Sequence, residues 1–353
     1  MRRVNLRSVL HVGVFLVPLL TTVAILDACK KAPPPAPTPL SLTIPLGLDK
    51  DYAKWIPADN PLTVEKVELG KKLYFDARLS VDGTVSCATC HNPKSGFADK
   101  EPTSAGVEGQ FGNRNSPTVF NRLYSKAQFW DGRAASLEEQ ALGPVQNPVE
   151  MANTLPGMIS SLNRITSYKP EFLKAFGSEE ITADRVAKAI AAFERTVLSG
   201  NSPFDRFQAG DASAISESAK RGFAIFMGKG NCKDCHELPN FTDEDYHNLG
   251  VGMDKPNPDL GRYSVTKAEK DKGAFKTPTL RNIEGTYPYF HDGSAKTLEE
   301  VMDVYGRGGT RNPYLDEKIK PLKLTKQDEQ DLVAFLKTLT GEPLKIEGPV
   351  LPQ

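Results

Sequence analysis

Cys87, Cys90 and His91 stand together as "CATCH", and Cys232, Cys235 and His236 as "CKDCH". Two thiols one helical turn apart, followed directly by an imidazole, can make two thioether bonds to a porphyrin and set a nitrogen on its iron. A zinc ribbon would pair cysteines without the following histidines. A thioredoxin-type site would need one pair, in a βαβ setting. The fifth cysteine, Cys29, belongs to the N-terminal signal described below, which leaves none for a structural disulfide. The chemistry expected is that of two covalently bound haems c. Five of the six ligands of each iron are then assigned, and the sixth separates an electron carrier from an enzyme.

A c-type carrier fills both axial positions, with His/Met or His/His. Beyond the motif histidines the exported part of the chain has only His247 and His291, both in its second half. The chain repeats itself, and the repeat addresses the sixth ligand. "RNSPTVFN" (114–121) echoes "KTPTLRN" (276–282), and "FWDGRAASLEEQALGP" (129–144) echoes "FHDGSAKTLEEVMDVY" (290–305). The aligned columns pair Trp130 with His291, Gln140 with Val301, and Pro144 with Tyr305. A phenol oxygen can ligate iron and a proline side chain cannot, so the second haem is expected to be closed by Tyr305 and the first open. Met253, in "LGVGMD", is the rival ligand, and Tyr305 could instead be helix-end packing. Near the first haem, Glu150 could shuttle a proton during peroxide heterolysis while Gln140 orients the peroxide. The plainer reading of both is solvated surface.

The elements that must position these groups read as helices. Ser136 and Thr297 each stand three residues before a glutamate, the capping-box spacing, which starts helices at Leu137 and Leu298. Residues 183–198 and 325–339 have amphipathic helical periodicity, the latter with Thr325 as N-cap. Long strand patterns are missing, so the fold class is all-α, with two cytochrome-c-like haem domains in tandem. Their expected bounds are 46–204 and 205–345, joined near 199–211, with a tail at 346–353. Equal numbers of acidic and basic residues give no argument for a nucleic-acid partner. Arg2, Arg3 and Arg7 precede an apolar run, so 1–28 reads as a signal of the lipoprotein type, with Cys29 as the acylated residue; an uncleaved anchor or a plain signal is the alternative. A proline-rich linker over 29–45 then tethers the protein in the periplasm.

Taken in order, the motifs from "CATCH" through "RNSPTVFN", "QFWDGRAASLEEQ", "GPVQNPVEM" and "CKDCH" to "FKTPTLRN" and "YPYFHDGSAKTLEEV" resemble those of the bacterial di-haem cytochrome c peroxidases and their MauG-type relatives. The resemblance covers about residues 55–341. It implies a peroxide site at the N-terminal haem, an electron-transfer haem in the C-terminal half, and Trp130 between them. It assigns acid/base work to Glu150 with Gln140 as its companion, and a calcium ion to the Asn115 side chain and the Thr286 and Pro288 carbonyls. Hydrogen peroxide and a small donor, a cytochrome c or a cupredoxin, are the implied partners, and a homodimer is possible. Ordinary members close the peroxide haem with a histidine in the loop before "RNSPT"; here that loop, "TSAGVEGQFG", puts Glu108 there. Ordinary members place methionine at Tyr305, whereas tyrosine is the MauG-type arrangement. That arrangement supports a bis-Fe(IV) state and oxidation of a protein or organic substrate. The tryptophan that such enzymes use before the second haem motif is replaced by "MGKGN" (227–231). A plain electron-transfer cytochrome is the third reading.

Overall fold

The computed structural model describes residues 35–353, together with Gly13. The signal expected over 1–28 and the acylated Cys29 lie outside the described residues. The first half contains α1 (Val64–Phe75), α2 (Cys87–Cys90), α3 (Leu137–Gln146), α4 (Leu155–Arg164), α5 (Tyr168–Phe176) and α6 (Ala183–Glu194). A short α7 (Pro203–Gln208) leads into the second half, built from α8 (Glu217–Met227), α9 (Tyr263–Thr266), α10 (Leu298–Gly306) and α11 (Lys326–Lys337). Among the described residues the only sheet is β1 (Tyr246–His247) paired antiparallel with β2 (Phe275–Lys276).

Local chemistry sets the helix starts. The Ser136 and Thr297 hydroxyls accept from the Glu139 and Glu300 amides, and Thr325 accepts from Asp328, satisfying amides that the first turn leaves unpaired. The helix expected over 183–198 ends at Glu194, because the Val197 carbonyl turns away to accept from the Asn121 amide at 2.9 Å.

Each half has its own core, one between Leu69 and Val197 and one between Phe204 and Leu339. In both, the first helix crosses the last at a glycine. A Cβ on Gly70 would lie 1.8 Å from the Ala189 carbonyl oxygen, and one on Gly222 1.9 Å from that of Asp331. Only glycine lets the two backbones meet so closely.

The halves also exchange bonds. The Asn115 amide donates to the His291 carbonyl at 2.7 Å, and the Lys276 amide donates to the Trp130 carbonyl at 2.7 Å. Because Asn115 aligns with Lys276 and Trp130 with His291, this is one contact made twice, once in each direction.

The joint near 199–211 is built into the molecule. Ser199 and Ser202 are buried, Asn121 bonds the Ser199 backbone on both sides, and Asp205 forms a two-pronged ion pair with Arg281 at 2.9 and 3.0 Å. The proline-rich linker drawn to residue 45 stops sooner. Leu40 donates to the Leu62 carbonyl, Thr38 bonds Glu65, and Leu42 and Ile44 join an apolar cluster with Leu48 and Tyr124. Leucine and isoleucine at alternate positions give that stretch a face to bury. At the other end, Leu344 and Ile346 leave the second half and pack on the first core.

Candidate active site

Both haem motifs are closed by the same turn. The His91 amide donates to the Cys87 carbonyl and the His236 amide to the Cys232 carbonyl, each at 2.9 Å, and all four thiols are unpaired. Burial pushes both imidazoles below the usual histidine range, which holds them neutral, the form that ligates iron. His236 Nδ1 lies 3.0 Å from the Phe241 carbonyl oxygen, which fixes the tautomer and leaves Nε2 for a metal. Each motif opens on its own cavity, one lined by His91 and the other by His236. Thiols, neutral imidazole and adjoining cavity fit a covalent haem in each half.

The sixth positions differ as the aligned columns do. Tyr305, in the last turn of α10, lines the second cavity together with His236, and burial pushes its phenol up. Pro144 stands at the matching turn of α3 and lines the first. Met253 does not line the second cavity; its sulfur lies against the Gly273 backbone. His247 is likewise engaged, with Nδ1 2.6 Å from Asp316 and Nε2 2.8 Å from Asp243. Asp243 first, then the Cys235 sulfur and Asp316, raise the His247 pKa to about 11.

The first cavity gathers Gln140 from α3, Asn147, Glu150 and Arg133. Asn147 Nδ2 donates to Glu150 Oε1 at 2.6 Å, and burial pushes the Glu150 carboxyl up against the lowering pull of that bond and of Arg133. The lining has no histidine besides His91 and no tyrosine, and its one methionine, Met151, belongs to the hydrophobic core.

Glu108 does not reach this site, which corrects the expectation placed on it. The residue is exposed, with a left-handed backbone at φ 56°, on a hairpin that the Ala105–Phe111 bridge closes. Its neighbour Val107 turns inward instead, buried, with its amide donating to the Glu150 carbonyl at 2.8 Å. Gly106 packs so closely on Val149 that a Cβ would lie 2.1 Å from its carbonyl oxygen. The loop thus braces Glu150 through its backbone.

Trp130 lines both cavities, with its indole N–H donating to the Asn115 carbonyl at 2.8 Å. Asn115, Thr286 and Pro288 all border the second cavity. The Asn115 amide nitrogen faces the Glu101 and Pro102 carbonyls at 3.2 and 3.3 Å. Beside them the Lys100 ammonium donates to the Gly285 carbonyl and lies 3.8 Å over the Tyr287 ring. Sequence reasoning missed Asn147, Arg133 and Arg122 at the cavity walls. Asn147 lay within reach, three residues before Glu150 in the same loop.

Comparison with known proteins gives a consistent result. The family described as Di-haem cytochrome c peroxidase matches residues 64–213, and the Cytochrome c family matches 219–340. The methylamine utilization protein MauG of Methylorubrum extorquens is 46% identical over 84% of this chain and 84% of its own. Cytochrome c551 peroxidase of Nitrosomonas europaea is 43% identical over 84% of this chain and 86% of its own. The crystal structure of a MauG-like protein associated with microbial copper homeostasis superposes with a TM-score of 0.76 at 32% identity, covering 90% of this chain and 95% of that one.

Proposed function

The chain belongs to the di-haem cytochrome c peroxidase family and carries two c-type haem domains in tandem; from that premise we propose how its residues divide the work of peroxide reduction. The haems supply redox chemistry at iron, the first held by His91 and the second by His236 and Tyr305. Hydrogen peroxide enters the first cavity, where Gln140 orients it by hydrogen bonding. Glu150 takes the proton from the oxygen nearer the iron and returns it to the departing oxygen, which leaves as water. Trp130, on the wall common to both cavities, carries electrons between the halves, and a cytochrome-type donor, a cytochrome c or a cupredoxin, restores them. A calcium ion at Asn115, Thr286 and Pro288 would find three hard oxygen donors in the side-chain amide oxygen and two carbonyls, with water completing its shell. Haem attachment to such motifs belongs to the exported compartment, so we assign the enzyme to the periplasm with a lipid anchor at Cys29.

One observation carries this reading: the first cavity is lined by Pro144 at the turn where Tyr305 lines the second, and by no histidine besides His91. No ligand has to be displaced before peroxide binds. The as-isolated ferric protein is therefore expected to consume peroxide at the same rate as protein first reduced at its second haem, with a reduced cytochrome c as donor. A strict need for prior reduction would overturn the reading. MauG-like oxidation of a protein or organic substrate is a second reading, favoured by Tyr305. It predicts peroxide consumption with negligible cytochrome oxidation in the same assay.

A further inference from the structure

Arg122 lines both haem cavities, and no carboxylate among the described residues pairs with it directly; Glu244 and Glu194 attract it from farther off. Arg122 is half-buried, with part of its surface on the two cavities it lines. Its hydrogen bonds go to neutral oxygens, from Nε to the Thr118 carbonyl at 3.1 Å and from Nη1 to Ser125 Oγ at 3.2 Å. Among the described residues no carboxylate lies within ion-pair distance of it. Glu244 is taken by Lys276 at 3.1 Å and also accepts from Ser125 Oγ and the Lys126 amide. Glu194, on the wall of the first cavity, is pushed up to about 8 by burial and has no side-chain hydrogen bond. Lys276 adds a second buried cation nearby, with like-charge repulsion toward Arg122. A half-buried guanidinium with free donors and no direct anionic partner is suited to a ligand that supplies the charge.

The ligand chemistry that supplies it is the haem's own. A porphyrin tethered by thioethers at one edge carries its two propionate carboxylates at the opposite edge, and a guanidinium binds carboxylates in a two-pronged geometry that lysine cannot reproduce. We propose that Arg122 is a shared propionate anchor, binding haem carboxylates from both cavities and coupling the two cofactors through one charge. The inference rests on the two-haem reading and not on any reaction at either iron. A fixed cation between the haems stabilises the reduced, more negative state of each, so it raises both midpoint potentials together.

The test is a spectroelectrochemical titration of the holoprotein, resolving both haems, with Arg122→Gln and Arg122→Lys. Arg122→Gln is expected to lower both midpoints, while Arg122→Lys keeps the charge and holds them at the parent values. Resonance Raman of Arg122→Lys should still move the propionate bending bands of both haems, because the two-pronged contact is lost. A Gln variant in which neither or only one midpoint moves contradicts the shared anchor, and so do unmoved bands in the Lys variant. Parent midpoints that shift with phosphate at constant ionic strength would show a mobile anion in the propionates' place, and would also overturn it. Peroxide turnover enters none of these readouts, so failure here is separable from failure of the peroxidase assignment.

Discussion

In the proposed mechanism proton transfer turns on Glu150. Burial raises its carboxyl, and an ionised carboxylate is needed to accept a proton, so turnover should fall as pH drops through a value above the ordinary glutamate range. Glu150→Gln should lower kcat by about 10²–10⁴-fold. It should also remove that acid limb while both haems stay attached; an unchanged pH profile would shift the role elsewhere. Comparing the two copies column by column made the contrast of Pro144 with Tyr305 legible in the sequence. Glu108 was not legible, since a left-handed backbone at one residue decides which side chain of the loop faces inward, and no spacing rule encodes it. Arg122 escaped notice for another reason: its importance comes from partners it lacks, which only packing reveals.

Capping chemistry made helix starts legible to the residue at Ser136, Thr297 and Thr325. Helix ends were less so, because Val197 leaves α6 to satisfy an amide 76 residues away in sequence. The amphipathic pattern also concealed how α1 meets α6 and α8 meets α11. Gly70 and Gly222 look like ordinary interruptions of a helix, yet both permit backbone contact at the crossing. Replacing either with alanine should cost about 1–3 kcal/mol through forced separation of the helices, against the gain in helix propensity that an open site would show. Thermal melting of the two holoprotein variants measures it, and a rise in Tm would refute the close-contact account. The proline-rich approach to the fold was legible as composition only; its docking depends on Leu40, Leu42 and Ile44 finding a surface made by residues far along the chain.

The two halves share one plan and have different centres. Reciprocal bonds between Asn115 and His291 and between Lys276 and Trp130 hold them in register, with a buried joint behind, so the distance between the cavities is fixed by the fold. Within that frame a phenol, Tyr305, lines the second cavity, while Pro144, Gln140 and Glu150 line the first. The all-helical tandem plan followed from motif, repeat and periodicity. The return of the chain end onto the first core did not, because short apolar pairs such as Leu344 and Ile346 have no periodicity to read. The proposed reactivity depends on the asymmetry of the two irons. EPR of the as-isolated ferric protein reports both sixth positions at once. A high-spin signal from the first haem beside a six-coordinate second haem, the latter lost in Tyr305→Phe, is the predicted result; two low-spin six-coordinate signals would contradict it.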